Sequence, residues 1–308
     1  MLKTVPKIAI IGAGKLTYSL TDALVKSKYK IDIVISKNPS SAILLAQKYR
    51  IRNHSRFLNN IPISTNIFFL TVPDDQISSA ANQLAKLQFD FRESIFVHFS
   101  GAKNVSALKS LQDKKAHTAS FHIMQTFPSK IIVKLNNCLA AIETQSGAAK
   151  KFLEELATKL HLNAFYLNSN EKVKYHLAGV FASNFLVSNL FSTDLLLGKV
   201  SKRTNSYEIM APILNSTLKN VKVKGAKEAL SGPIIRGDFE TIKAHSAFLK
   251  KLMISENKRL SNRLHLNYLV QSLSLIEIVR SKNGKLNLKQ KQIEKFLVNE
   301  SKRLARLL

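Results

Sequence analysis

From Lys7 to about Leu167 the chain alternates short apolar runs with amphipathic stretches. Lys7-Ile8-Ala9-Ile10-Ile11 is a run with no polar face, the mark of a strand buried on both sides in a parallel sheet. Similar runs predict strands at Ile31–Ile35, Ile67–Val72, Ser94–Phe99, Ala116–Phe121, Cys138–Ile142 and Ala164–Leu167, with a short one near Ile51. Between them, spacings of three and four predict helices over Lys15–Lys26, Ser41–Tyr49 and Ala148–Leu160. After about Ser169 the strand pattern stops. Helical periodicity covers Glu171–Gly198, Ser206–Val221, Phe239–Lys251, His265–Ser281 and Leu288–Leu307. Alternating strands and helices followed by helices alone predict a Rossmann-like, mostly parallel sheet over residues 1–168 and an all-α domain over 169–308.

The first strand runs directly into Gly12-Ala13-Gly14-Lys15-Leu16-Thr17. Strand, Gly-x-Gly and helix start is the arrangement that binds a dinucleotide pyrophosphate. Gly12 permits the turn, and Gly14 lets the backbone approach the phosphates. Free N–H groups at the helix start face the anion. Ala13, Lys15 and Leu16 complete the loop. Thr17 stands where a third glycine is usual, so a looser fit of helix on strand is expected.

The second strand ends in Ser36-Lys37-Asn38. A carboxylate here would accept from a ribose 2′-hydroxyl and repel a 2′-phosphate, whereas Ser36 and Lys37 would bind one. NADP is therefore expected over NAD. The bland alternative is that Lys37 is one more solvated lysine. Further strand ends carry Val72-Pro73-Asp74-Asp75 and Ser100-Gly101. Ligands of a doubly wound sheet lie beyond such ends. Asp74 or Asp75 is also placed to cap the helix that follows Pro73.

Composition changes this picture little. Hydrophobic residues at 45% and charged residues at 22% are ordinary for a soluble protein, but 47 basic against 20 acidic residues give +27. That charge raises a nucleic-acid partner, yet the lysines are spread over nearly every helix without interleaved aromatics, so compositional drift is favoured. The single cysteine, Cys138, excludes an internal disulfide framework and suits a cytoplasmic setting. Leu177–Gly198 is long enough to span a membrane but carries Asn184, Asn189 and Asp194. A helix buried in protein is expected there. No His, Cys and Asp spacing suggests a metal.

Candidate chemistry lies in the helical half. At about 100° per residue, His176 and Ser183 share a face with Gly179 between them. His176 is a candidate proton donor to a reduced carbonyl or imine, and Asn184 a candidate substrate ligand. The alternative is a packed histidine at a helix crossing. His122 follows a strand on the ligand side of the sheet. Arg236, between Pro233 and Gly237, could clamp a carboxylate or phosphate, or pair with Asp238, the expected cap of the next helix.

Together these pieces resemble a family that joins an NADP-binding Rossmann-like domain to a C-terminal helical domain of uncharacterised function. It is related to pyrroline-5-carboxylate reductases, ketopantoate reductases and 3-hydroxyacid dehydrogenases. The matching residues are Ile10–Gly14, Thr71–Asp75, Val97–Ala102, Ser120–His122 with Gln125–Pro128, Tyr175-His176 with Val180–Asn184, and Gly232-Pro233 with Arg236–Asp238. The resemblance implies a C-terminal domain like that of 6-phosphogluconate dehydrogenase, packed over the cofactor cleft, and homodimerisation through its helices. Departures are Ile123 where proline is usual, Lys15 and Thr17 in the glycine loop, and Val180 where 3-hydroxyacid dehydrogenases carry a catalytic lysine.

The leading expectation is an NADP-dependent oxidoreductase moving a hydride to or from a C=O or C=N carbon of a small, anionic metabolite. The alternatives are a non-catalytic NADP-binding sensor or scaffold and, last, a basic nucleic-acid-associated protein.

Overall fold

The computed structural model describes residues 5–198, 206–252 and 257–306. By internal contacts the chain divides into two compact units, 1–185 and 186–308.

The first unit is built on an eight-stranded sheet of order β3-β2-β1-β4-β5-β6-β7-β8. The strands are β1 (Lys7–Ile11), β2 (Lys30–Ile35), β3 (Asn53–Ser55), β4 (Ile67–Leu70), β5 (Ile95–His98), β6 (His117–Ile123), β7 (Leu139–Glu143) and β8 (Asn163–Tyr166). β1 to β6 run parallel; β7 is antiparallel to β6, and β8 runs parallel to β7. The order reverses direction between β1 and β4, which opens a crevice at the carboxyl ends of these strands. Its helices are α1 (Lys15–Lys26), α2 (Pro39–Lys48), α3 (Ile77–Leu84), α4 (Lys109–Gln112), α5 (Gly147–Lys159) and α6 (Lys172–Gly179).

Both sheet faces are covered, which is why the strands lack a polar face. Ile8, Ile10, Phe69 and Val97 pack against α1, α2 and α5. Ala9, Ile11, Phe68 and Phe96 pack against α3 and α4. Cys138, expected to open this strand, lies one residue before β7, half-buried against the core, with Gln125 donating to its Sγ at 3.5 Å.

Thr17 corrects the expectation of a loose first helix. It is fully buried, and its hydroxyl donates to the Gly12 carbonyl at 3.2 Å and lies 3.0 Å from Thr71 Oγ1. A hydroxyl thus ties α1 to the ends of β1 and β4 where a glycine would only have allowed approach. Gly12 itself cannot change: its φ is +112°, and a Cβ would stand 2.5 Å from the Thr71 carbonyl oxygen.

Asp74 and Asp75 do not cap α3 through their side chains. A short 3₁₀ turn, Asp74–Gln76, precedes that helix, and the Asp74 carboxylate instead accepts from the Ser100 hydroxyl at 2.7 Å.

The strands end at Tyr166, near the expected domain boundary, but the first unit continues to Phe185. The reason is α6, whose first residue, Lys172, is buried against β6 and β7. The expected single helix from Glu171 to Gly198 is interrupted. A π-helical turn covers Val180–Asn184, and α7 (Phe185–Leu197) follows.

The second unit holds most of α7, with α8 (Ser206–Ala229), α9 (Pro233–Arg236), α10 (Phe239–Lys251), α11 (Lys258–Asn283) and α12 (Leu288–Ala305). Leu307, the expected end of the last helix, lies outside the described residues. Ile242, Leu269, Ile276, Ile293 and Leu297 form its core. Asp238 caps α10 as expected, accepting from the Thr241 amide at 3.1 Å. The helical run Ser169–Leu197 is long and apolar enough to cross a membrane, and the expectation that protein buries it fails within this chain. Leu195 and Leu196 pack on Leu249 and Leu264, but Val187 and Phe191 are exposed. Asn189 accepts from Gln271 of α11 at 2.6 Å.

Replacing Gly12 with alanine forces a strained backbone against Thr71. Equilibrium urea unfolding of Gly12→Ala is expected to show a loss of about 2 kcal/mol or more.

Candidate functional site

Beyond the ends of β1, β2 and β4 lies a cavity of about 410 Å³. Gly12, Ala13, Gly14, Ser36, Lys37, Val72 and Pro73 line it, all expected from sequence. Lys15, Leu16, Asp74, Ser100 and Gly101 do not. α1 starts at Gly14 with no side-chain cap and no acidic residue in its first turn. Its first N–H groups therefore remain for an anion, the donor set that a pyrophosphate needs.

Two cations missed in the sequence complete the wall: Arg56, after β3, and Lys130, in the connection from β6 to β7. Lys130 donates to Ser41 Oγ at 3.1 Å, beside the α2 start capped by Asn38. Lys37 donates to Gln76 Oε1 at 2.9 Å. Three cations and no carboxylate thus line this cavity among the described residues.

A buried polar network underlies the neighbouring strand ends. Lys172 is 1% exposed and Glu143 5%. The Lys172 ammonium donates to Glu143 Oε2 at 2.8 Å and to the Ser120 hydroxyl. The other carboxylate oxygen of Glu143 accepts from the Ser169 hydroxyl at 2.5 Å and the Val105 amide at 3.1 Å. Burial alone would raise the Glu143 pKa, but the bonds from Lys172 and Ser169 outweigh it and hold it below its ordinary value. Burial lowers Lys172, against the pull of Glu143 and Asp74.

Lys172 also begins the stripe that carries the candidate chemistry. On α6, His176 lies one turn after Lys172 and Gly179 nearly two. His176, His122, Met124, Gly179, Ser183 and Asn184 line a second cavity of about 260 Å³ in this unit. The π-turn widens the helix here, bringing both Ser183 and Asn184 to the cavity that regular helical spacing would divide between two directions. His176 is exposed, so the packed-histidine alternative falls.

His122 lies within β6 rather than after it. Its ring meets His176 at 6.2 Å and Tyr175 at 5.4 Å between centroids. Gly101 makes that pairing possible. A Cβ there would stand 2.7 Å from both His122 Nε2 and His176 Cδ2. The missing Cβ of Gly101 thus leaves room for two rings that line this cavity. Burial, then His176 and Lys172, push the His122 pKa down to about 4. Tyr175 Oη donates to the His122 carbonyl at 3.4 Å and lies 3.3 Å from Nδ1. A hydroxyl used in this way accepts from Nδ1–H and leaves the Nε2 lone pair on the Gly101 side.

His98 is fully buried beneath this site, its pKa also pushed down to about 4 by burial and by Lys172. It accepts from the Ser100 amide at Nδ1 (3.3 Å), and its Nε2–H donates to the Asn104 carbonyl (3.2 Å), the pattern of a neutral ring.

Arg236 belongs to the second unit, exposed at the end of α9. Thr241 hydrogen bonds, and then Arg236 at a distance, hold the Asp238 carboxyl below its ordinary value.

Two family models match the chain. Residues 7–100 match one described as NADP oxidoreductase, coenzyme F420-dependent, and residues 138–264 match a domain of unknown function, DUF2520. No curated protein matches. Among solved structures, a candidate NADP oxidoreductase from Bacteroides fragilis is 25% identical, with a TM-score of 0.71 over 91% of this chain and 98% of that one. A pyrroline-5-carboxylate reductase from Coxiella burnetii is similar in fold at 10% identity, with a TM-score of 0.55 over 88% and 99% of the two chains. So is an imine reductase from Myxococcus stipitatus with NADP+, at 15% identity and a TM-score of 0.56 over 95% and 100%. Residues 7–100 thus belong to an NADP-oxidoreductase-type Rossmann domain, joined to a DUF2520 domain over residues 138–264.

Removing one partner of the buried pair leaves the other charge stranded. Lys172→Met is expected to cost about 3–5 kcal/mol in chemical denaturation, and Lys172→Met with Glu143→Leu considerably less. The two depressed histidines set a pH dependence. Between pH 4 and 6.5 the unfolded chain binds protons that folded His98 and His122 refuse, so stability rises with pH across that window and levels above it. Denaturation measured at several pH values checks this, and His122→Gln should flatten the slope.

Proposed function

We propose that this chain, an NADP-type Rossmann domain joined to a DUF2520 domain, is an NADP-dependent oxidoreductase acting on the C=O or C=N carbon of a small metabolite. The observation that supports this most directly is the cleft of about 410 Å³ at the strand-order reversal, with three cations, no carboxylate and the uncapped start of α1. A 2′-phosphate is favoured there by Lys37, Arg56 and Lys130, and a bare ribose gains nothing from them.

When bound, the nicotinamide group gives or takes the hydride. The protein orients, excludes water and handles the proton. His176 is the candidate proton donor because it is the exposed imidazole of the second cavity. His122, kept neutral, hydrogen-bonds without changing charge. Ser183 and Asn184 offer a hydroxyl and an amide to the substrate oxygen or nitrogen. These groups suit a polar carbonyl or imine. Among the described residues the lining holds no lysine, arginine, aspartate or glutamate, so the anionic character expected of the substrate draws no support from this cavity.

We also propose a homodimer. Val187 and Phe191 on α7 and Ile213, Leu218 and Val223 on α8 are exposed apolar side chains in the second unit, more than a monomer usually leaves bare. Sedimentation as a monomer at micromolar concentration would remove this part.

Fluorescence titration is expected to give NADPH at least tenfold tighter binding than NADH. Lys37→Ala and Arg56→Ala should each erode the preference without abolishing NADH binding. A chain that binds neither nucleotide ends the oxidoreductase reading. Over a panel of carbonyls and imines, His176→Ala is expected to cut turnover by about 10²-fold or more at unchanged NADPH affinity. Tight NADPH binding with no turnover by the unaltered protein would favour a sensor or scaffold.

A further inference from the structure

The second unit contains a cavity unrelated to the cofactor cleft. It measures about 580 Å³ and lies where three helices end. Lys250 comes from the last turn of α10, Lys258, Arg259 and Asn262 from the start of α11, and Arg303 from the last turn of α12. Among the described residues Glu300 is the one carboxylate in the lining. It lies 3.6 Å from Arg303, a loose and partly exposed pair, and no other described acid lines the cavity beside Lys250, Lys258 and Arg259.

Composition explains lysines scattered over convex, solvated faces. It does not explain their convergence on a concavity. Like charges gathered there repel one another, and a cleft with low-dielectric walls concentrates their field. His265, 3% exposed, lines the cavity; burial lowers its pKa, Glu300 opposes that shift, and Arg303 and Lys250 add to it. Its Nε2 is engaged with Ser246 Oγ at 2.9 Å, which fixes the ring. The start of α11 adds the positive end of a helix dipole, and Asn262 a further polar side chain.

We propose that this cavity is a binding site for a small phosphate-bearing anion, of the size of pyrophosphate up to a mononucleotide. The volume is that of a small-molecule pocket. Two arginines supply planar donor forks matched to phosphate oxygens, and two lysines supply mobile point charges. Glu300 loosely orients Arg303 and opposes an anion, but four cations in the lining outweigh its one charge. The site needs nothing from the nucleotide cleft and stands whether or not the chain proves to be an oxidoreductase.

The test uses the full chain, inorganic pyrophosphate as probe, and the ring resonances of His265, which lines this cavity, as a local reporter. Pyrophosphate is expected to shift those resonances saturably and raise the His265 pKa. Arg259→Gln with Arg303→Gln should weaken binding tenfold or more. If that variant folds poorly, Lys258→Gln with Arg259→Gln carries the same expectation, since both side chains are exposed. Three outcomes overturn the proposal: resonances that do not move, equal affinity in the variants, or no response to pyrophosphate alongside length-dependent binding of an oligonucleotide. The last would assign the charge to a nucleic-acid surface.

Discussion

An ammonium group withdrawn from water must find acceptors where it lies, and the Lys172 ammonium does so on two adjacent strands, at Glu143 and Ser120. The cost of desolvating both charges is met only because every oxygen of Glu143 is also engaged. That requirement fixes the first turn of α6 against the sheet. His176, Gly179 and the π-turn then follow in order along the helix, so the position of the second cavity is inherited from the buried pair. The same ammonium helps keep His98 and His122 neutral, and one lysine thus sets both geometry and protonation nearby.

The nucleotide cleft depends on a different economy of contacts. Gly12 is held by φ and by the Thr71 carbonyl, while Thr17 binds the same strand ends with its hydroxyl. A departure from the usual glycine pattern is here a substitution of one attachment for another. The cleft's cations come from three separate connections, after β2, after β3 and between β6 and β7, so its charge is a property of the folded sheet end rather than of one loop.

Apolar surface is distributed unevenly. The sheet is covered on both faces, but α7 and α8 leave large side chains in solvent. A helix of ordinary soluble packing would bury one stripe. α7 has no such division, since apolar residues lie all round it, and Val187 and Phe191 stay exposed.

Periodicity alone was enough to place the strands, because a strand buried on both faces has no polar position to disguise it, and Lys7–Ile11 is the plainest case. It also placed Gly12, Gly14, Ser36 and Lys37, which lie next to a strand end in the chain itself. The β6–β7 reversal, Arg56 and Lys130 were beyond it, since contacts between residues far apart in sequence leave no local pattern. Lys172 and Glu143 left only a faint trace, a lysine one turn before His176 and an acid at the end of an apolar strand. Their pairing is a matter of tertiary burial. The exposure of His176, the engagement of Asp74 with Ser100 and the π-turn were likewise decided by packing, because helical arithmetic assumes a regular helix and capping rules assume a side chain with no better partner.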